Sequence, residues 1–359
     1  MTAIQMTGVS KVYPGEIIAL HPTDLGIGSG ELVTVVGPSG SGKSTLIRLI
    51  AGLETPTNGT ITFDGDIVND IGPPGRRVGL VVTQGALYDN MTAEGNFRFP
   101  LMATGIKEPE ASERVASTAG RFGIRRLLDR RTRSLSAGER QLVAAGRATV
   151  RDSNVLLLDE AVAGVDLHRR RQVRDQIRNL HDGSLTIVYA TNEQDEAMTL
   201  GNRIVVLDDG AVQQVGGPID VYTNPVNTFV AQFLGSPGMN VVPALVTGPN
   251  TVRIGDDELE VGATTPQATE VMVGIRPERV RPAAPGRPFN RCLHARATRV
   301  EQLGSARLAH VAFGTPESGA VDFIVRVEGD RPLFAGDQVE LEVDIEAIAY
   351  FDRETGVRL

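Results

Sequence analysis

Three stretches combine residue types and spacings suited to phosphate chemistry. In "VVGPSGSGKST", Gly37 and Gly42 bracket four residues and are followed at once by Lys43 and Ser44. Glycines there let the backbone curl tightly, so that successive N–H groups point inward at an anion. Lys43 would reach the terminal phosphates of a nucleotide, and the Ser44 hydroxyl would hold Mg²⁺. A second apolar run ends in paired carboxylates, "VLLLDE". Asp159 has the place of a Mg²⁺ partner, directly or through water, and Glu160 that of a group polarising an attacking water. In the third stretch, "LTIVYATNEQDEAM", an apolar run stops at Ala190-Thr191 and would present Asn192 to a cleft. Its amide either takes part in the chemistry there or simply caps the helix expected to begin near Glu193, since Asn is a preferred N-cap.

These side chains need strands that end side by side. Leu32–Val36, Val78–Val82, Val155–Leu158, Leu185–Tyr189 and Ile204–Leu207 are continuous Val/Ile/Leu runs, as strands buried on both faces should be. Helices are expected between them at Ser44–Ala51, Glu139–Val150 and Leu167–Leu180. The alternation predicts an α/β domain with a largely parallel sheet. The phosphate loop would lie at the N-terminus of the first helix, whose field favours an anion. Past "FLGSPGMN", Phe233–Asn240, the character changes to short alternating segments punctuated by Gly and Pro, such as "TVRIGDDELEV" and "QVELEVDI". That is the pattern of a small all-β module. The expected division is residues 1–235 and 236–359.

At 359 residues the chain is long enough for two cored domains, and 22% charged residues mark a soluble globular composition. A net charge of -8 argues against a nucleic-acid partner, which normally requires a basic field. The clusters "RRLLDRRTR" and "RRRQVR" read as solvated helix faces. One cysteine, Cys292, excludes an intramolecular disulfide. The N-terminus lacks a signal-peptide pattern, and no apolar run approaches the roughly 20 residues that span a bilayer. A cytoplasmic protein is expected, reaching a membrane only through a partner.

Between the phosphate loop and the paired carboxylates lies "RSLSAGERQLVAAGRA". Its "LSAGERQ", Leu135–Gln141, closely resembles the signature motif of ABC-transporter ATPases, usually LSGGQ. Gln84 in "VVTQGALYDNMT" is similar to the family's glutamine loop, and "AGVD", Ala163–Asp166, sits where its D-loop belongs. Tyr13 matches the aromatic residue that stacks on adenine. The C-terminal segments "VGIRPERV" and "DIEAIAYFDRETGVRL" look like the import-type ATPases of the maltose, sn-glycerol-3-phosphate and glycerol class. The resemblance implies a P-loop ABC ATPase domain with a helical subdomain, "FRFPL" falling in the part that meets a permease. An all-β regulatory domain of oligonucleotide-binding-fold (TOBE-like) type would follow it.

The resemblance further implies a head-to-tail dimer of ATPase domains beneath two transmembrane permease subunits, served indirectly by an extracytoplasmic solute-binding protein. ATP would be gripped by Tyr13 and by Gly37, Pro38, Ser39, Gly40, Ser41, Gly42, Lys43, Ser44 and Thr45. Across the interface it would meet Ser136, Ala137, Gly138, Glu139 and Asp166. Mg²⁺ would lie at Ser44, Gln84 and Asp159. Catalysis would fall to Glu160, Gln84 and the residue at 192.

At 192 the family carries a histidine, and here it is Asn. The chain's five histidines are His21, His168, His181, His294 and His310, and none realigns to that strand end. An imidazole can take up positive charge as negative charge develops; an amide only donates a neutral hydrogen bond. Other departures are Ala137 for a glycine, Glu139 for a glutamine, Ala161 for a proline and Thr83 for an aromatic residue. Two mechanisms follow. Either the chain is the weak-site member of a pair with a different, histidine-bearing ATPase, or it is a homodimer hydrolysing slowly with Glu160. A permease-free ABC ATPase working on ribosomes or DNA is the reading from another class. The acidic charge, the lack of a second ATPase domain and the transporter-like β module count against it.

Overall fold

The computed structural model of the chain describes residues 2–82, 87–160, 167–180, 183, 185–262, 265–283, 292–303, 306–314, 321–327 and 333–359. Contacts divide the chain into two units, Met1–Ile219 and Asp220–Leu359.

The first unit opens with strands β1 (Ile4–Tyr13), β2 (Ile17–Ile27) and β3 (Leu32–Val36), then helix α1 (Lys43–Ala51). Strands β4 (Asn58–Phe63) and β5 (Asp66–Ile67), helix α2 (Pro73–Arg76) and strand β6 (Val78–Val81) come next. Helices α3 (Ala93–Ala103), α4 (Glu110–Arg121) and α5 (Ala137–Thr149) lead to strand β7 (Val155–Asp159). Helix α6 (Leu167–Leu180), strand β8 (Thr186–Thr191), helix α7 (Gln194–Leu200) and the strands β9 (Arg203–Asp208) and β10 (Ala211–Gly216) complete it.

The expected parallel sheet is present, in the order β10-β9-β3-β8-β7-β6. Only the β9–β10 pair is antiparallel. Every residue of β3, β7 and β8 is buried, which is why their Val/Ile/Leu runs do not alternate. A four-stranded antiparallel sheet, β2-β1-β4-β5, was not expected. Register shifts between Met6 and Val9, and again up to Val12, interrupt the alternation by which β1 would have been read.

Helix α1 buries Leu46, Ile47, Leu49 and Ile50. At its C-terminal end the Arg76 guanidinium donates to the carbonyls of Leu49 (2.6 Å) and Ile50 (2.9 Å), where positive charge suits the helix dipole. Helices α3, α4 and α5 share a core of Phe97, Leu101, Val115, Phe122 and Leu142. The Phe97 ring lies so close to α5 that a Cβ built on Gly146 would sit 2.4 Å from its Cζ. Gly146→Ala is therefore expected to destabilise this unit by about 1–3 kcal/mol, an overpacking cost, read as a lower denaturant midpoint at unchanged slope.

Helix α8 (Pro218–Thr223) carries the division, and in the second unit helix α9 (Thr228–Phe233) precedes two five-stranded antiparallel sheets. Val252, Val273, Phe313, Phe323 and Leu341 belong to its core, and the sheets bear out the all-β reading. Composition changes near residue 236, yet contacts divide at Ile219/Asp220. The reason is Arg276, whose buried guanidinium donates to the carbonyls of Tyr222 (2.6 Å), Ala231 (3.0 Å) and Leu234, and lies 3.7 Å from the Tyr222 ring centroid. It ties the helical segment to the β module. Among the described residues no helix is long and apolar enough to cross a membrane.

Candidate active site

The carboxyl ends of β3, β7 and β8 lie beside one another, because β8 pairs with both of the others. Open parallel sheets bind ligands at such ends. After β3 the chain forms the loop 37–42 and enters α1 through Gly42, at φ 99°. Its glycines are required sterically. A Cβ on Gly37 would lie 2.0 Å from the Leu207 carbonyl oxygen, and one on Gly42 2.5 Å from that of Ala19. At Gly40, φ 84°, nothing stands within 4 Å of an added Cβ, so the loop crest is backbone open to a ligand.

Lys43 is only 4% exposed, and its ammonium donates to the carbonyls of Gly37 (2.9 Å) and Pro38 (2.7 Å). Burial pushes its pKa down, and the charges of Glu160 and Asp159 partly restore it. The Ser44 hydroxyl donates to Asp159 Oδ1 at 3.0 Å, joining the first helix to the end of β7. A hydroxyl and a carboxylate at that separation are hard oxygen donors, spaced as neighbouring ligands of a small octahedral cation held at about 2.1 Å would be. The residues present thus fit a triphosphate with Mg²⁺.

Glu160 adopts φ 50°, an uncommon conformation for a residue with a side chain. Its N–H donates to the Ala190 carbonyl at 2.9 Å, which holds the turn against β8. The Asn192 amide donates to Glu160 Oε1. This corrects the capping alternative: α7 has Glu193 at its N-cap position, and no side chain caps it. The Glu193 N–H donates to Thr191 Oγ1 (3.0 Å), which helps to hold the turn from β8 into α7. Behind the loop, the Tyr189 and Thr191 hydroxyls each donate to the buried Glu196 Oε2 at 2.8 Å. Burial and the Glu196 charge push the Tyr189 phenol far upward, so it stays a donor. Sequence reasoning missed this brace, because no local pattern announces a bond from a strand's inner face to the following helix.

Ser136 is the N-cap of α5 and forms a reciprocal capping box with Glu139. The spacing Ser136-x-x-Glu139 ahead of an apolar run was a legible sign of it. Ala137 is exposed, while Gly138 is buried with Val173 of α6 3.1 Å from where its Cβ would be. Tyr13 ends β1 half-buried, with the Lys11 ammonium 5.0 Å from its ring centroid. Lys43, Ser44, Asp159, Glu160 and Asn192 are thus brought together by direct bonds or charge proximity. Ser136 to Glu139 form a separate motif on α5. Gln84, Asp166, Thr83 and Ala161 lie outside the described residues.

A glycine loop at a helix N-terminus, a lysine inside it and a serine–aspartate pair beside a strand-end glutamate define a P-loop nucleoside triphosphatase. The ABC transporter model matches residues 20–163, the MalK OB fold domain model residues 235–280 and the TOBE domain model residues 273–351. The chain belongs to the ABC ATPases, among the ATP-binding subunits of importers, and carries the oligonucleotide-binding-fold and TOBE modules of that class. It is 40% identical, over 100% of both chains, to an sn-glycerol-3-phosphate import ATP-binding protein, UgpC, of Cereibacter sphaeroides. It is 38% identical to a xylose/arabinose import ATP-binding protein, XacK, of Haloferax volcanii, over 99% of this chain and 95% of that one. Its first unit resembles the dimeric post-hydrolysis structure of the ATP-binding cassette MJ0796 bound to ADP and Pi. There the TM-score is 0.53 at 29% identity, covering 60% of this chain and 98% of that one.

Proposed function

We propose that this chain is one of two ATPase subunits beneath the two permease subunits of an importer for a carbohydrate, polyol or glycerol-type solute, and that its own nucleotide site is the weaker of an unequal pair. The relatives' names support the solute class, and the dimeric MJ0796 structure supports a paired arrangement. Residues 1–235 carry the ATPase, and 236–359 the regulatory module. The chain sits on the inner face of the membrane, held there by the permease, whose solute arrives from an extracytoplasmic binding protein. Exposed apolar side chains of the helical subdomain, Phe99 and Met102 with Tyr88 beside them, suit the permease contact.

In this reading Gly37 to Thr45 hold the triphosphate through loop N–H groups and Lys43, and Tyr13 stacks on the base. Ser44, Asp159 and Gln84 hold Mg²⁺, which neutralises phosphate charge when bound. Glu160 accepts a proton from the attacking water. Ser136, Ala137, Gly138, Glu139 and Asp166 face the nucleotide of the other subunit, so ATP closes the pair and its hydrolysis releases it.

The observation that carries the unequal pair is the Asn192 amide on Glu160. A neutral amide occupies the base and cannot gain charge as the γ-phosphate does. The purified chain should bind ATP yet turn it over at less than about a tenth of the rate reached once a second, histidine-bearing ATPase is co-purified with it. Steady-state phosphate release checks this. Fast turnover by the lone chain, abolished by Glu160→Gln and untouched by Asn192→Ala, would refute the unequal pair and favour a homodimer.

A further inference from the structure

The N-terminus of α5 already has an anion on it. The Ser136 N–H donates to Glu139 Oε2 at 3.0 Å, and the same oxygen lies 3.1 Å from Ser136 Oγ. Ser136 Oγ in turn accepts from the Glu139 N–H at 3.3 Å. A serine hydroxyl has one proton to give, and here the carboxylate takes it. A carboxylate at a helix N-terminus is favoured by the helix dipole, as a phosphate in its place would be.

Two cations stand close by. Arg130 Nη1 is 3.6 Å and Arg126 Nη2 3.9 Å from the other carboxylate oxygen, Oε1. Both are within ion-pair range but beyond hydrogen-bonding length. Burial works against the Glu139 charge, yet the Ser136 N–H, the Ser136 hydroxyl and the two arginines outweigh it and hold its pKa below the usual carboxylate range. The side chain is therefore an anion at neutral pH.

We infer that the Glu139 carboxylate is a built-in competitor for the phosphate that this chain's signature segment takes from the other subunit's nucleotide, and that Arg126 and Arg130 receive it when it is displaced. The inference rests on the proposed docking of Ser136 against that nucleotide. A rotation of the carboxylate away from Ser136 toward the guanidinium groups frees the hydroxyl and the N–H together. It also moves the negative charge off the axis of α5. Glu139 and the arginine pair thus set how tightly ATP closes the dimer. A helix cap alone would need neither the charge nor the arginines, because a glutamine at 139 can accept from the Ser136 N–H equally well.

The test uses the full chain with Glu160→Gln, mixed with the ATPase subunit that co-purifies with it and whose own catalytic glutamate is likewise changed to Gln, and reads their ATP- and Mg²⁺-driven association by sedimentation velocity. Adding Glu139→Gln is expected to tighten association about tenfold, and Arg126→Gln with Arg130→Gln to weaken it by about as much. With Glu139→Gln already present, the arginine changes should lose their effect. Unchanged or weaker association of the Glu139→Gln form overturns the inference, and so do arginine effects that persist without the carboxylate. Absence of ATP-driven association in every form also overturns it. Fluorescent-nucleotide binding then separates the two failures: retained ATP binding leaves the phosphate-loop reading standing, and lost binding removes that as well.

Discussion

Replacing Lys43 by alanine is expected to weaken ATP binding by about a hundred- to a thousandfold, the roughly 3–4 kcal/mol lost when a desolvated cation is taken from its anionic partner. The side chain is buried and hydrogen-bonded to the Gly37 and Pro38 carbonyls, so it is held over the loop and has little conformational freedom to lose on binding. Its depressed pKa shows that burial alone disfavours the charge, which the triphosphate would repay. Titration with a fluorescent ATP analogue measures the loss directly. A second measurement is the nucleotide-induced rise in Tm, which follows the ratio of ligand concentration to Kd and should vanish in the variant. Affinity within about threefold of the parent would remove Lys43 from the phosphate site.

Asn192→His should act in the opposite direction, raising turnover by the purified chain about ten- to a hundredfold, the scale of one well-placed proton-transfer or charge-stabilising group. The position is exposed and next to Glu160, so a longer side chain can be admitted without repacking the strand. An imidazole can donate to the carboxylate through one nitrogen while its other nitrogen reaches the γ-phosphate, and its cationic form answers the charge developing there. The gain must run through Glu160, so adding Glu160→Gln should remove it. A histidine variant no faster than the parent, with ATP affinity intact, would show that the weakness of the site lies elsewhere.

Much of the geometry of the candidate site was legible in the sequence. The Gly37-to-Ser44 spacing names its own geometry, because Gly37 and Gly42 tolerate no Cβ and Lys43 must follow them to reach into the loop. Continuous apolar runs marked β3, β7, β8 and β9, each displaced from expectation by no more than a residue or two. The antiparallel sheet of β1, β2, β4 and β5 was not legible, since its bulges break the period of two. Arg276 explains why the contact boundary precedes the change of composition: the buried cation recruits carbonyls from a helical segment that composition assigns to the first domain.

Residue types and spacings were sufficient for the phosphate loop, the Asp159-Glu160 pair and the family, because those features depend on the backbone within a few residues of one another. They were also enough to notice that residue 192 is an asparagine. That its amide donates to the Glu160 carboxylate follows only from the pairing of β7 with β8, which brings residues 160 and 192 face to face across 31 intervening positions. No side chain caps α7, and the Asn192 amide donates to the distant carboxylate. The same holds for Glu139, whose capping-box spacing is written in the chain but whose arginine neighbours reach it from the short turns that precede α5. Local hydrogen bonds follow sequence distance; the charges that compete with them follow distance in space, which the fold alone sets.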